Sequence, residues 1–455
     1  HIKDVFYFGP ETKVINSLGL EKTIDEKSIK NYLVNGILEN NDKTLFKYIK
    51  TLEPGTILTL NKSKLQKNTY WKIKNYAYQN IKKSEIYEAL KEKLSESVKL
   101  HLLSDVNVGL TLSSGIDSQI LLKYMLKFKP DITSYTYGYD EKTYDESEFV
   151  INNYENFQIK KFRSVLRPKN LINELNEAVD YFQNPLGGLG TLSLYHLMKK
   201  IKKTGSKVVL SGEGGDEIFF GYKYYFYAYL LDLKNNNKLD KFNSEILKWK
   251  NITGEDLIES NQNSDILKNK IYGSQAPDGT LLSNESLEGD FLKDVSLDKI
   301  EKYEKDHLTN INILDITKKK LPKLLMFQDR CSMRSSVESR VPFLDHELYD
   351  LIRNIDTSYH INNGLLKNML RNELDDSLIE DSQKKYVAAP QREWLKKDLY
   401  EDVKEIILDG YLVKNKIINK NLFFDKFKQY SESNALGNSF FIWKVLNLEI
   451  LYNKL

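Results

Sequence analysis

The 455-residue chain has one cysteine, Cys331, and six histidines with no His-x-x-x-His pair among them. A single thiol excludes an internal disulfide and any site built from several cysteines, and it indicates a reducing compartment. The histidine spacing argues against a zinc site. No apolar run approaches the roughly 18 residues that a membrane span needs, so we expect a cytoplasmic protein without a membrane partner.

An excess of charge of one sign is also lacking. Lys+Arg 67 against Asp+Glu 64 gives a formal net charge of +3, which argues against nucleic acid as a partner. Hydrophobic residues make up 41% of the chain and charged residues 29%, a balance that suits a large core under a polar surface. At this length we expect two or three structural units.

The hydrophobic pattern changes near residue 75. Residues 1–75 hold short apolar runs with Pro-Gly and Asn turn signals, which predict antiparallel strands. Further on, the segment 251–299 is polar and is predicted to be an insertion or a mobile loop. The remainder of the chain to Leu455 is expected to be mainly helical, and a stripe at helical spacing opens the second part: Ile86, Leu90, Leu94 and Val98.

Strand patterns alternate with helical patterns in the second part. The stretches DVNVGLTL, ITSYTYGYD and GSKVVL read as strands, and apolar helices separate them. This alternation predicts an α/β fold with a doubly wound, mostly parallel sheet. Sheets of this kind bind ligands at the carboxyl ends of their strands.

The stretch VGLTLSSGIDSQ, residues 108–119, ends a strand pattern in small residues and an aspartate. Small residues let the backbone approach a polyphosphate, and the following helix offers unpaired N–H groups. Asp117 would repel phosphate unless a cation lay between them, and Mg²⁺ favours both kinds of oxygen. The loop therefore predicts a Mg²⁺–phosphate site, although a tight turn with an aspartate N-cap fits the hexapeptide equally well.

A second loop, LSGEGGDEIFFGY at residues 210–222, follows another apolar strand. Alone it would be interpreted as a glycine-rich turn with solvent-facing charges. Beside the first loop, it predicts that Asp117 and Asp216 hold a metal–pyrophosphate unit from two sides.

Three motifs stand in the order found in a known family: VGLTLSSGIDSQ, VVLSGEGGDEIFFGY and QDRCSMRSSVESRVPFLD. With them the chain resembles the glutamine-dependent asparagine synthetases, class II amidotransferases of the asparagine synthetase B type, from Phe6 to about Leu395. The resemblance implies that residues 76–455 form a synthetase domain of the adenine nucleotide alpha hydrolase (PP-loop ATP pyrophosphatase) type with a helical C-terminal part. Residues 1–75 would be the remnant of an antiparallel, β-rich glutaminase-like domain.

The resemblance also implies roles for individual residues. It implies that Glu213 and Lys384 are catalytic, with Lys385 as the alternative lysine. It also implies that Asp117 and Asp216 bind Mg²⁺. Related β-lactam synthetases carry tyrosine at the Glu213 position. Glu338 and Arg340 would be structural or substrate-facing charges. The implied nucleotide-binding residues are Leu112, Ser113, Ser114, Gly115, Asp117, Ser118, Tyr137, Ser211 and Gly212.

The reaction implied is that of a carbon–nitrogen ligase of amino-acid biosynthesis. ATP would adenylate a carboxylate, with aspartate as the plainest acceptor, and ammonia would displace AMP after pyrophosphate has left. The same chemistry on a sugar acid, an antibiotic precursor or a peptide carboxylate is one alternative. A catalytically silent nucleotide-binding scaffold is another.

Several positions depart from the family's pattern. Ser114 replaces a glycine and would restrict the backbone, and Ser382 and Tyr386-Val387 alter the lysine segment. Cys331 is expected to be a packed apolar residue. With no other cysteine, the chain as it stands cannot hydrolyse glutamine by a thiol, so ammonia would come from glutamine through a missing domain or another subunit, or from free ammonium. The oligomeric state stays open, with a homodimer among the options.

Overall fold

The computed structural model describes residues 5–38, 42–62, 64–73, 82–153, 159–261, 263–272, 306–355, 361, 389–433 and 439–455. Helices dominate these ranges, and strands occur in two separate sheets. Among the residues so described, no helix combines the length and apolar character that crossing a bilayer requires.

The N-terminal part combines two helices with a hairpin. The helices are α1 (Thr12–Asn16) and α2 (Glu26–Asn35), and the strands are β1 (Thr56–Asn61) and β2 (Lys64–Thr69). The carboxylate of Asp25 caps α2 by accepting a backbone hydrogen bond of 2.9 Å from its first turn. The two strands pair antiparallel, as the apolar runs with turn signals predict, whereas the helices were not predicted.

Five short strands form the central sheet: β3 (Val108–Thr111), β4 (Thr133–Gly138), β5 (Lys160–Val165), β6 (Val208–Leu210) and β7 (Glu338–Arg340). All neighbours are parallel, in the order β5-β4-β3-β6-β7. The order reverses between β3 and β6, and such a reversal opens a crevice at the carboxyl ends of the two strands. The predicted parallel α/β architecture is confirmed.

Helices connect the strands and complete the chain. Those up to β7 are α3 (Lys83–His101), α4 (Ile116–Phe128), α5 (Ser147–Asn153), α6 (Leu171–Phe182), α7 (Leu189–Lys203), α8 (Gly215–Ile218), α9 (Lys223–Asn235), α10 (Leu239–Thr253), α11 (Ser264–Tyr272), α12 (His307–Leu314) and α13 (Leu321–Arg334). After β7 come α14 (His346–Arg353), α15 (Gln391–Lys396), α16 (Tyr400–Leu408), α17 (Tyr411–Lys414), α18 (Lys420–Glu432) and α19 (Phe440–Tyr452). One π-helical turn, Asp315–Lys319, precedes α13. The largely helical C-terminal part agrees with the prediction.

The sheet lies between two apolar clusters. Val208 and Leu210 face the cluster that contains the predicted stripe of α3 and much of α4 and α9. Val209 faces the other cluster, built by α6, α7 and the C-terminal helices. Because successive strand residues point to opposite faces, one strand supplies both cores. The sheet is therefore covered on both sides, as a parallel sheet requires.

The segment predicted to be an insertion or a mobile loop begins with helical structure. Residues 251–261 and 263–272 contain the end of α10, a 3₁₀ turn and α11. Leu267 and Ile271, four residues apart, are fully buried and anchor α11 against α9. The rest of that segment, and the predicted domain boundary near residue 75, lie outside the described residues.

Glu449 on α19 fixes the start of α17. Its two carboxylate oxygens accept hydrogen bonds from the backbone N–H groups of Tyr411 (2.6 Å) and Leu412 (2.9 Å). Glu449 itself has no exposed surface, and burial raises the pKa of its carboxyl to about 7. The folded chain therefore binds a proton at Glu449 more tightly than the unfolded chain does.

A raised folded-state pKa gives stability that is fully present below the unfolded pKa and is lost as the pH rises through about 7. We expect the free energy of unfolding of Glu449→Gln to depend less on pH between 5 and 8 than that of the parent chain, by up to about 3 kcal/mol. Urea unfolding at each pH measures this. Glu432→Gln, which changes an exposed glutamate on α18, is the matched control, and equal pH dependence in all three chains would contradict the assignment.

Candidate active site

The first loop, residues 112–115, joins β3 to α4 and is held by hydrogen bonds to the hydroxyl groups of Ser113 and Ser118. Ser118 Oγ accepts a hydrogen bond from Ser113 N (3.0 Å), and it lies 3.1 Å from the Ser113 carbonyl and 3.0 Å from that of Gly115. The N–H of Gly115 donates to Ser113 Oγ at 3.1 Å. These contacts hold the loop in a compact turn at the carboxyl end of β3, directly before the amino end of α4.

Ser114 fits this loop without strain. It is not among the described residues with positive φ, so the backbone here does not require glycine. Its carbonyl accepts a hydrogen bond of 2.6 Å from Gln119 Nε2, and its hydroxyl donates to Glu146 Oε2 at 2.8 Å. The residue as a whole is 4% exposed, so both its hydroxyl and its backbone are buried.

The second loop, residues 211–214, packs directly on the first. A Cβ atom on Gly215 would lie 2.5 Å from Asp117 Oδ1, and one on Gly212 would lie 3.1 Å from Asp117 Cβ. Gly214 adopts a φ of +90°, a left-handed conformation that favours glycine. The glycines of the second loop thus leave the space in which the Asp117 side chain lies.

Asp216 completes this arrangement. It follows Gly215 in the first turn of α8, and its Oδ1 lies against the backbone of Gly221, where a Cβ atom would overlap it. Asp117 lies against Gly215, the residue that directly precedes Asp216 in the chain, at the carboxyl edge of β3 and β6. That the two carboxylates hold a metal together stays a prediction.

These carboxylates suit Mg²⁺ in the presence of phosphate. Mg²⁺ is commonly held by one or two carboxylates, with substrate phosphates and waters as its other ligands. No group of three or more metal-binding side chains occurs within the ranges that the structure describes. The donor set therefore fits a cation shared with a nucleotide rather than one held by protein alone.

The expected nucleotide-binding positions lie along the same edge. Leu112 is buried after β3, and its N–H donates to the Tyr135 carbonyl at 2.9 Å. Tyr137 is next to last in β4. Ser211 follows β6, and its N–H donates to the Arg340 carbonyl at 2.8 Å. Their positions at three neighbouring strand ends agree with a shared ligand crevice, and their roles stay predictions.

Tyr137 is buried at the end of β4, and its phenol was not predicted to have a role. Burial is the first cause of the raised pKa of Tyr137, and the charges of Tyr139, Glu146 and Glu213 raise it further. No role was predicted for Glu146 from the sequence. Its place in the segment between β4 and α5 is the signal that could have indicated one.

A network of buried carboxyl groups and tyrosine hydroxyls lies at and beside α8. Glu217 is 1% exposed and accepts a hydrogen bond of 2.5 Å from the Tyr222 hydroxyl. Burial raises the pKa of Glu217, and the charge of Asp216 adds to the rise. Nearby, Asp315 in the π-helical turn accepts hydrogen bonds from the hydroxyls of Tyr224 and Tyr225.

Glu338 and Arg340 bind each other and the end of a helix. Arg340 Nε donates to Glu338 Oε1 at 2.7 Å, and Nη1 donates to the carbonyls of His101 (2.7 Å) and Leu103 (2.8 Å). Those carbonyls lie at the carboxyl end of α3, where a cation is favourable. The described contacts are structural, and a substrate-side role for the pair stays a prediction.

The remaining expected residues are Cys331 and the lysine segment around Lys384. Lys384, with Ser382 and the Tyr386-Val387 pair, lies outside the described residues. Cys331 is fully buried, its sulfur lies 3.6 Å from the Thr191 carbonyl, and burial raises the pKa of its thiol. The expectation of a packed cysteine is confirmed.

Two family models match the chain. The asparagine synthase model matches residues 89–452, which include both loops. The glutamine amidotransferase domain model matches residues 1–71, which include the β1–β2 hairpin. The two matches follow each other along the chain in the order that the motifs indicate.

Curated relatives agree with these matches. Asparagine synthetase [glutamine-hydrolyzing] 1 of Bacillus subtilis (strain 168) is 26% identical over 98% of this chain and 71% of its own length. Asparagine synthetase [glutamine-hydrolyzing] 3 of the same strain is 27% identical over 83% of this chain and 60% of its own length.

A putative asparagine synthetase [glutamine-hydrolyzing] of Mycobacterium bovis is 24% identical over 84% of this chain. The chain spans 61% of that relative's length, which is less than two thirds. The synthase match covers well over half of the chain. The chain therefore belongs to the asparagine synthase family of ligases that form carbon–nitrogen bonds.

Proposed function

We propose that this chain is an ATP-dependent amide-forming synthetase with a sheet of the PP-loop ATP pyrophosphatase type. The observation that carries the proposal is the contact of Asp117 with Gly212 and Gly215, directly beside Asp216. The Asp117 carboxylate lies at a strand-order reversal, next to the amino end of α4, and Asp216 directly follows its contact residue Gly215. This arrangement would suit a nucleotide whose pyrophosphate departs with a divalent cation.

The first step is adenylation of the acceptor. A carboxylate oxygen forms a bond to the α-phosphorus of ATP, the bond from that phosphorus to the bridging oxygen breaks, and pyrophosphate leaves with the electron pair. Backbone N–H groups in the first turn of α4 would hold the phosphates. Asp117 and Asp216 would hold Mg²⁺, which offsets the negative charge on the phosphate oxygens when bound. Lys384 would act on the same charge, as the resemblance implies.

The second step forms the amide. The lone pair of ammonia attacks the acyl carbon, the bond from that carbon to the AMP oxygen breaks, and the nitrogen loses a proton. Glu213 lies in the second loop, after β6, and would accept this proton. A positioned general base contributes about 10²–10⁴-fold to such a step.

Aspartate is the acceptor that the family relationship favours, since the relatives are named asparagine synthetases. The rival acceptors are a sugar acid, an antibiotic precursor and a peptide carboxylate, which need the same adenylation. A silent nucleotide-binding scaffold would need neither Glu213 nor the two aspartates Asp117 and Asp216, and their presence together favours an enzyme.

The ammonia source is part of the proposal. Residues 1–71 match a glutamine amidotransferase domain, but the only thiol of the chain is the buried Cys331. A buried thiol with a raised pKa is a poor nucleophile. Ammonia would therefore reach this chain from glutamine hydrolysed in another domain or subunit, or from free ammonium.

Pyrophosphate release tests the function. With ATP, Mg²⁺, aspartate and ammonium, we expect equimolar pyrophosphate, AMP and asparagine, measured by mass spectrometry. Asp117→Asn should lower the rate about 100-fold or more, because the charge that balances the metal is lost. Asp131→Asn, which changes an exposed aspartate before β4, should leave the rate unchanged.

Three outcomes separate the alternatives. Products from another carboxylate, with none from aspartate, would assign the rival acceptor. ATP binding that does not depend on Mg²⁺ and is unaffected by Asp117→Asn would assign the scaffold. No pyrophosphate with any carboxylate, together with no binding of ATP, would overturn the proposal.

Gly215→Ala tests the contact between the loops. The added methyl group would overlap Asp117 Oδ1, so the carboxylate must move. We expect MgATP to bind about tenfold more weakly or worse, measured by calorimetry. Gly190→Ala is the matched control, because a Cβ atom there meets no other atom within 4 Å. Equal affinity in both variants would show that the position of Asp117 does not matter to the nucleotide.

A further inference from the structure

Ser114 connects the first loop to the segment after β4. Its hydroxyl donates to Glu146 Oε2 at 2.8 Å, across 32 residues of sequence. This hydroxyl is available because position 114 is serine, whereas the pattern of the family that the chain resembles has glycine there. A glycine loop would have no side chain with which to make this contact.

Glu146 is fixed on both sides by its neighbours. The Asp145 carboxylate accepts hydrogen bonds from Arg163 Nη2 (2.6 Å) and from the backbone of Ser147 (3.1 Å). Arg163 Nε, on β5, donates to Ser147 Oγ at 2.5 Å. Asp145 and Ser147 also press on Gly138 at the end of β4, where a Cβ atom would overlap both. The backbone at Glu146 is therefore held to two strands of the sheet.

Another hydrogen bond of Ser114 joins the loop to the helix that directly follows it. Gln119 Nε2 donates to the Ser114 carbonyl at 2.6 Å, but Gln119 belongs to α4, which directly follows the loop. That bond keeps the loop on its own helix. The backbone bond from Leu112 to Tyr135 holds the start of the loop to β4. The Ser114–Glu146 bond adds a side-chain tie from the middle of the loop to the segment that β4 and β5 hold, and so to a part of the sheet formed later in the chain.

We propose that Glu146 is a positioning residue that holds the nucleotide-binding loop through the hydroxyl of Ser114. This inference rests on the proposed function for the identity of the ligand. Glu146 acts here as a hydrogen-bond acceptor, and it need not touch the substrate. Glutamine can replace it, since the amide oxygen also accepts a hydrogen bond, whereas alanine cannot.

A double-mutant cycle tests the inference by MgATP binding, measured by calorimetry on the full chain. Ser114→Ala and Glu146→Ala should each weaken binding about tenfold, because each removes the same hydrogen bond to a charged group. The double variant should also be about tenfold weaker rather than about 100-fold. Glu146→Gln should bind within about threefold of the parent chain. Glu148→Ala, an exposed glutamate on α5, is the matched control and should bind like the parent.

Hydrogen exchange of the loop amides gives a second readout that needs no ligand. Faster exchange at residues 113–118 in both alanine variants, but not in Glu146→Gln or Glu148→Ala, is expected. Additive losses in the cycle, or a Glu146→Gln variant as impaired as Glu146→Ala, would overturn the inference, the latter because the charge itself would then matter. Loop exchange equal to that of the parent chain in both alanine variants would also overturn it. No binding of ATP by the parent chain would instead count against the proposed function, and the exchange result would still decide this inference.

Discussion

The candidate site depends on the close approach of the Asp117 side chain to the backbone of Gly215. A Cβ atom on Gly215 would overlap the Asp117 carboxylate, and one on Gly212 would be in tight contact with Asp117 Cβ. The sheet favours this approach, because β3 and β6 are hydrogen-bonded neighbours and both loops leave the same edge. The contact of Asp117 with the second glycine-rich segment is thus a consequence of strand order combined with missing side chains.

Buried carboxyl groups lie at and beside α8, the helix that follows the second loop. Glu217 and Asp315 are buried carboxyl groups, and each accepts hydrogen bonds from tyrosine hydroxyls. A buried polar group is costly unless it is satisfied, so such networks favour one arrangement over its alternatives. The network therefore favours a single position for the helix that carries Asp216.

The sequence predicted the features whose signals are local. A strand pattern that ends in small residues and an aspartate is legible within a dozen residues, and both loops were found in this way. Features that depend on distant partners were not found. Glu146 gains its contact from Ser114, 32 residues away, and Arg340 reaches carbonyls more than 230 residues earlier.

Two other elements, β5 and α11, were not predicted because of their composition. β5 is an edge strand in which three of the six residues are charged and three are exposed, so it lacks the apolar pattern of its neighbours. α11 buries only a few apolar side chains within a polar segment, and its helical spacing was hidden by the surrounding asparagines and serines. In both cases tertiary packing, rather than local preference, decided the structure.

The pairing of β6 with β7 affects the order in which the sheet can fold during synthesis. The N–H of Ser211 is satisfied by the carbonyl of Arg340, which is synthesised 129 residues later. Loop closure over such a span is slow, and a strand that waits for its neighbour leaves a sheet edge open during translation. On the ribosome, the half of the crevice that contains the first loop can therefore fold early, whereas the half that contains the second stays incomplete until β7 has emerged.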